Sequence, residues 1–103
     1  MDKIAALKEI LELDPKNSFA RYGLAMELAS QGDTAAALTE FDTLLANDPG
    51  YTAGYFMAAQ TLSATGRTQE AIARLNTGIQ SAAKSDNHHA VSEMQAMLDD
   101  LER

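Results

Sequence analysis

Few residues in this chain could bind a metal or carry out catalysis, and they lie together near the carboxyl end. His88 and His89 are adjacent, and Glu93 follows His89 by four residues. Neighbouring side chains on a helix diverge by about 100°, so the two histidines do not converge on one ligand. His89 and Glu93 share a face but supply only two ligands. We expect the histidines to be solvated residues at a helix start, and a histidine-dependent metal or hydrolytic site is the lesser alternative.

Other catalytic signatures are missing from the sequence. The serines lack a G-x-S-x-G turn and an associated base. Gly32 and Gly66 stand singly, as helix terminators do, and form no phosphate-binding loop. The chain has no cysteine, which excludes disulfides and thiolate-bound zinc. We therefore predict no enzymatic activity, no cofactor and no metal.

Composition and charge indicate the class of partner. The chain has 103 residues, of which 46% are hydrophobic, and a formal net charge of −7. This length predicts a single domain. An acidic chain is repelled by phosphate backbones and anionic membranes, so we expect no nucleic acid and no membrane as partners. A neutral or basic protein with apolar anchor residues fits better.

The termini and apolar runs bear on location. No apolar run approaches the ~20 residues that span a bilayer. Met1-Asp2-Lys3 begins an amphipathic segment and lacks the apolar stretch of a signal peptide. We expect a cytoplasmic protein.

Helical periodicity and turn residues predict six helices. The first covers roughly 2–13, and Asp14-Pro15 ends it because the residue before proline leaves the helical region. The second runs from about 18 to 30 with Asn17 as N-cap. The third and fifth are predicted to start at the caps Thr34 and Thr68. The fourth covers about 52–64, and the sixth is capped by Asp86 or Asn87.

A fixed offset of thirty-four residues connects these segments. Asp14-Pro15 recurs as Asp48-Pro49, and Gly32 recurs as Gly66. Matched apolar columns at one period indicate stacked units that bury their faces against their neighbours. The columns are Ile4, Leu38 and Ile72; Leu7, Phe41 and Leu75; and Leu11, Leu45 and Ile79.

In these residues the chain resembles the tetratricopeptide repeat (TPR) family, whose 34-residue helical hairpin carries an aromatic-x2-Leu-Gly-x2-Tyr and an Ala-x3-Phe pattern. Arg21-x2-Leu24-Ala25-x2-Leu28 and Ala37-x3-Phe41 match in the first full unit. The second unit reads Tyr55-x2-Ala58-Ala59-x2-Leu62, then Ala71-x3-Leu75. Arg21 departs from the aromatic consensus, and Gly78 is expected to leave its apolar column underfilled.

The resemblance implies an all-α, right-handed superhelix of about six antiparallel-packed helices. The predicted parts of this one domain, 1–103, are an amino-terminal half unit at 1–13, repeats at 14–47 and 48–83, and a capping helix at 86–103. Ala25, Ala59, Ala37 and Ala71 are expected to let the hairpin helices approach closely. The apolar arc of the first helix, Ile4, Leu7, Ile10 and Leu11, is typical of a cap with one packing partner.

In this family the first helix of each hairpin faces a concave groove that binds peptides or helices. The resemblance therefore implies a protein-interaction module, an adaptor or scaffold. The positions predicted to line the groove include none of the basic residues that some members use to bind a terminal carboxylate. Two alternatives remain: aromatic residues that only fill space between repeats, and a homodimer through the sixth helix or the groove. The predicted partner-binding residues are Phe19, Tyr22, Met26, Tyr51, Phe56 and Gln60.

Overall fold

The structure is a computed structural model that describes residues 2–103, and these residues form six α-helices and no β-strand. They divide into two compact units, the first ending at Asp48 and the second beginning at Pro49. The first unit contains three helices, α1 (Lys3–Leu13), α2 (Ser18–Ser30) and α3 (Thr34–Asn47). The second contains α4 (Thr52–Ala64), α5 (Thr68–Lys84) and α6 (His88–Leu101).

Four of the six helices begin at an Asp or Asn N-cap whose side chain accepts a hydrogen bond from a backbone N–H. The Asn17 side chain accepts a hydrogen bond from the Ala20 N–H at 2.9 Å, as predicted. Asn87 does the same at the start of α6, which decides between the two predicted caps. Asp2 caps α1 in the same way.

The predicted caps of α3 and α5 are wrong by one residue. Asp33, and not Thr34, is the N-cap of α3. Arg67, and not Thr68, occupies that position before α5, and it has no side-chain cap bond. Each threonine is instead the first helical residue. The residue after Gly32 or Gly66 closes the preceding turn with its backbone N–H and so takes the cap position. Arg67 donates two hydrogen bonds to Glu70 in the first turn of α5, and this lowers the pKa of the Glu70 carboxyl.

Left-handed residues end three of the helices. Gly32 and Gly66 have φ angles of +82° and +80°, and only glycine adopts this conformation at no steric cost. After α5 the same role falls to Asp86, with φ of +56°. In each turn the next backbone N–H bonds to a carbonyl five residues earlier, as in the Schellman motif.

The core of the first unit lies where α2 packs against α1 on one side and α3 on the other. Ala25 and Ala37 are completely buried, which confirms the expected close approach of the two hairpin helices. Phe41 and Leu44 are the largest fully buried side chains there, and each contributes about 1.5–3 kcal/mol by burial.

In the second unit the central helix is the second of its hairpin, since α5 packs between α4 and α6. Ala59 and Ala71 repeat the fully buried small residues of the first hairpin. Gly78 does not leave a gap, contrary to the expectation from its apolar column. A Cβ atom at this position would lie 2.6 Å from Tyr55 Cβ and 2.7 Å from Met94 Sδ. The Tyr55 and Met94 side chains fill the space that Leu44 occupies in the first unit.

The apolar arc of α1 is less buried than its pattern predicts. Leu11 is buried, Ile4 and Leu7 are half-buried, and Ile10 is 43% exposed. Leu13 at the end of the helix is 90% exposed. Within its unit α1 contacts α2 and no other helix, so only the side of α1 that faces α2 is covered.

Gly78→Ala tests the packing around Gly78. Alanine is favoured over glycine in a helix by about 1 kcal/mol, but overpacking a core costs about 1–3 kcal/mol. Tyr55 Cβ cannot move without its helix, so we expect the free energy of unfolding to fall by about 1–2 kcal/mol. Urea unfolding followed by circular dichroism measures it.

Gly23→Ala is the matched control for this substitution. Its new methyl group would meet the Leu7 side chain at 3.4 Å, an ordinary contact. We expect this variant to gain up to about 1 kcal/mol. A Gly78→Ala protein as stable as the wild type would contradict the tight packing.

Candidate partner-binding surface

The first turn of α2 is anchored by hydrogen bonds from its Ser18 and Arg21 side chains to three other segments of the first unit. The Ser18 hydroxyl donates to the Asp48 carboxylate at 2.7 Å. The Arg21 guanidinium donates to the Pro15 carbonyl oxygen at 2.9 Å and to the Glu40 carboxylate at 2.6 Å. Together with the Asn17 cap, these bonds determine where the side chains of this turn lie.

Phe19 lies in this anchored turn and is 79% exposed. Tyr22 and Met26, which follow it at helical spacing, are half-buried. The Tyr22 ring packs edge-on against the buried Phe41 ring, with ring centroids 6.5 Å apart. Burial raises the pKa of the Tyr22 phenol, so this group stays neutral at physiological pH. We call Phe19, Tyr22 and Met26 the α2 face.

The opposite side of α2 has a different role. Leu24, Ala25 and Leu28 are all buried. The helix therefore uses one side for the core, and the three residues of the α2 face are accessible to a partner to different degrees.

The remaining predicted residues belong to α4 and its N-cap. Phe56 is half-buried and Gln60 is exposed. Tyr51 is the N-cap residue of α4, is half-buried, and makes no side-chain cap bond. We call Tyr51, Phe56 and Gln60 the α4 face. It is more polar and less exposed in its aromatic residues than the α2 face.

Neither face carries a charge. Helix α4 contains no charged residue, and α2 contains only Arg21 and Glu27. Arg21 is paired with Glu40, and Glu27 is 3.1 Å from the Lys3 ammonium. Both faces consequently offer apolar contact and amide or phenol hydrogen bonds, but no cation for a carboxylate.

Arg21 replaces the consensus aromatic residue with an equivalent contact. In the second unit the Tyr55 hydroxyl donates to the Pro49 carbonyl oxygen at 2.7 Å. Arg21 and Pro15 lie thirty-four residues before this pair, and the Arg21 guanidinium donates to the corresponding carbonyl. The same backbone group is thus bound by a phenol in one repeat and a guanidinium in the other. The sequence shows the departure from the consensus at Arg21 but carries no signal for this hydrogen bond.

The histidine pair behaves as a surface feature. His89 Nε2 is 3.4 Å from the Glu93 carboxylate, and both side chains are largely exposed. No group of three or more candidate metal ligands occurs among residues 2–103.

A cleft lies beside each of the equivalent residues Arg21 and Tyr55. The first has a volume of about 300 Å³ and is lined by side chains of α1, α2 and α3. The second, about 420 Å³, lies between the start of α4 and the end of α5. None of the six predicted binding residues lines either cleft. They lie on helix faces instead.

Over the described part of the chain, no helix combines the length and apolar character required to cross a membrane.

The family profile described as Tetratricopeptide repeat matches residues 28–98, more than two thirds of the chain. This chain belongs to the tetratricopeptide repeat family. The all-α fold and the assignment of the repeats to this family are therefore confirmed. The repeat is an interaction fold that presents a surface and is not generally catalytic. No curated protein matches the sequence.

Solved structures of other TPR proteins agree with this assignment. A tetratricopeptide repeat domain protein from Salinibacter ruber is 30% identical, with 86% of this chain and 90% of that chain covered and a TM-score of 0.81. The TPR2B domain of yeast Sti1, in a complex with pHsp70, is 17% identical over 96% of this chain and 79% of that chain, with a TM-score of 0.89.

A third similar structure is PcrH in complex with the chaperone binding region of PopD. It is 19% identical, covers 96% of this chain and 75% of that chain, and has a TM-score of 0.88. At this identity, PcrH and the Sti1 domain show the fold alone.

Arg21→Met tests whether the guanidinium anchors α2. The variant loses the bond to Pro15 and leaves the part-buried Glu40 carboxylate without its cation, so we expect a loss of about 1–3 kcal/mol in the free energy of unfolding. Tyr55→Phe should lose only about 0.5–1 kcal/mol, because the Ser81 hydroxyl still donates to the Pro49 carbonyl.

Chemical denaturation of both variants measures the difference, and Arg21→Met combined with Glu40→Gln should recover part of the loss. A fully stable Arg21→Met protein would show that the guanidinium is dispensable.

Proposed function

We propose that this chain is a non-catalytic protein-interaction module, an adaptor or scaffold of the cytoplasm, which binds a peptide or helix of another protein through the α2 face. Phe19 carries this proposal. It is a large aromatic side chain, 79% exposed, in a turn that four side-chain contacts position. An exposed phenylalanine forgoes about 1.5–3 kcal/mol of burial, which a partner can supply.

The chemistry of the face suggests how a partner is held. An exposed ring, a half-buried phenol and a methionine offer large apolar area that adapts to different shapes. The α4 face adds Phe56 and the amide of Gln60 as a further proposed contact surface. The absence of Lys and Arg on both faces argues against a partner held by its terminal carboxylate. The net charge of −7 favours a neutral or basic segment.

Proteins of similar fold support this role. The structure of the Sti1 TPR2B domain is a complex with pHsp70, and that of PcrH is a complex with the chaperone binding region of PopD. The alternative is that the aromatic residues only fill space. The Tyr22 contact with Phe41 is compatible with that role for Tyr22, but the exposure of Phe19 is not.

Phe19→Glu should abolish partner capture without unfolding the protein. A central aromatic anchor contributes about 2 kcal/mol or more, so the affinity for a captured segment should fall by about thirtyfold or more. The experiment captures partners from native lysate, identifies the bound segment, and measures its affinity for each variant by calorimetry. Phe56→Glu tests the α4 face in the same way.

Leu13→Glu is the matched control, since it places the same charge at an even more exposed apolar site on α1. Circular dichroism and the melting temperature verify the fold of each variant. Undiminished capture by folded Phe19→Glu would refute the proposed role of the α2 face, and loss of capture in Phe56→Glu alone would transfer the role to the α4 face.

A further inference from the structure

A second apolar surface lies on α1. Ile10 and Leu13 are, with Phe19, the large hydrophobic residues of the described chain that are exposed, at 43% and 90%. Lys3 and Ala6 precede them at helical spacing, so all four side chains share one stripe. We call these four residues the free face of α1.

The repeat register shows that this face is more apolar than the equivalent positions of α3 and α5. Ala6 occupies the column of Glu40 and Arg74, and Leu13 occupies the column of Asn47 and Ser81. A helix face that meets only water is normally polar. At these two positions α1 is less polar than α3 and α5, although Leu13 is exposed as Asn47 is.

The repeat register also argues against a covering helix packed as α2 packs on α3 and α4 packs on α5. Leu44, the equivalent of Ile10, is 1% exposed. Helices α3 and α5 place the fully buried Ala37 and Ala71 against their hairpin partners. Lys3 stands in that column on α1, and its long charged side chain prevents the same close approach. The covering element must therefore pack at a greater distance.

We propose that a second copy of this chain covers the free face of α1, through antiparallel packing of the two α1 helices about a twofold axis. In this arrangement Ala6 lies opposite Ile10 of the second copy, so a small residue meets a large one. An isologous contact of this kind needs a self-complementary stripe, which the free face provides.

Charge complementarity favours the antiparallel direction. Lys3 lies beside Leu13 of the second copy, near its Asp14 carboxylate and the negative end of its helix. The Lys3 ammonium contacts Glu27 of its own chain at 3.1 Å but remains largely exposed. Lys8 does not meet its symmetry equivalent, because it lines the cleft beside Arg21 on another side of α1.

The small area of one helix pair predicts a weak, reversible dimer. Interfaces of stable complexes bury about 1,200–2,000 Å², and this stripe provides less. We expect a dissociation constant on the order of tens of micromolar.

Sedimentation velocity over a concentration series tests the dimer. The wild-type protein should pass from monomer to dimer, and Leu13→Ser and Ile10→Ser should each raise the dissociation constant by about tenfold. Leu13→Ser keeps the test valid if Ile10→Ser affects folding, since Leu13 is almost fully exposed. Phe19→Ser, which removes the third exposed apolar side chain, should leave the dimer unchanged.

Cysteine crosslinking tests the direction, because the chain has no cysteine of its own. Ala6→Cys and Ile10→Cys proteins are mixed in equal amounts under mild oxidation. Disulfides that join one variant to the other should exceed disulfides between two copies of the same variant.

A monomer throughout the series overturns the proposal, as does a dimer insensitive to Leu13→Ser or crosslinks mainly between identical positions. Dimerisation that depends on Phe19 instead of Leu13 would place self-association on the α2 face. The proposed partner-binding role is separate, since capture depends on Phe19 and this dimer on Leu13.

Discussion

The close approach of paired helices at small residues is the constraint on which the rest of this structure depends. Ala25 and Ala37 in one hairpin, and Ala59 and Ala71 in the other, are completely buried. A hairpin packed this closely commits one side of each first helix to the core. The other side of α2 is then left with Phe19 exposed and with Tyr22 half-buried against Phe41. The candidate surface is thus a consequence of how the hairpin closes.

The same constraint allows the repeats to differ in chemistry while they keep their geometry. Arg21 and Tyr55 bind equivalent backbone carbonyls with different groups. Leu44 and Gly78 fill equivalent positions differently, since the Tyr55 and Met94 side chains enter the space at Gly78. These substitutions are coordinated: each departure from the repeat pattern is accompanied by a contact from another helix. The free face of α1 is an exception, because Leu13 and Ile10 remain exposed within the unit.

Features set by local sequence could be predicted well. The limits of α2 and α4 match the prediction, because Asn17 and the two left-handed glycines act within a few residues of themselves. The predicted caps of α3 and α5 are one residue too late, because the turns at these glycines place the next residue, Asp33 or Arg67, at the N-cap. The role of Gly78 could not be read from its column, since it depends on side chains of two other helices.

The candidate surface was predictable only in part. Helical spacing separated the buried side of α2 from Phe19, Tyr22 and Met26. It could not show that Phe19 is much more exposed than the other two, because exposure depends on contacts with other helices, such as that of Tyr22 with Phe41. The exposure of Ile10 was also missed, because periodicity marks a side chain as apolar without showing whether a neighbour covers it.

The central claim is that the α2 face binds the partner. Nuclear magnetic resonance titration with a captured partner segment tests it most directly. The Met26 methyl and Phe19 ring signals should shift progressively with added segment. The Met94 methyl signal should not shift, since this residue is only 1% exposed and lies in the core of the second unit. Shifts confined to α3 or α5, with Phe19 and Met26 unchanged, would contradict the account.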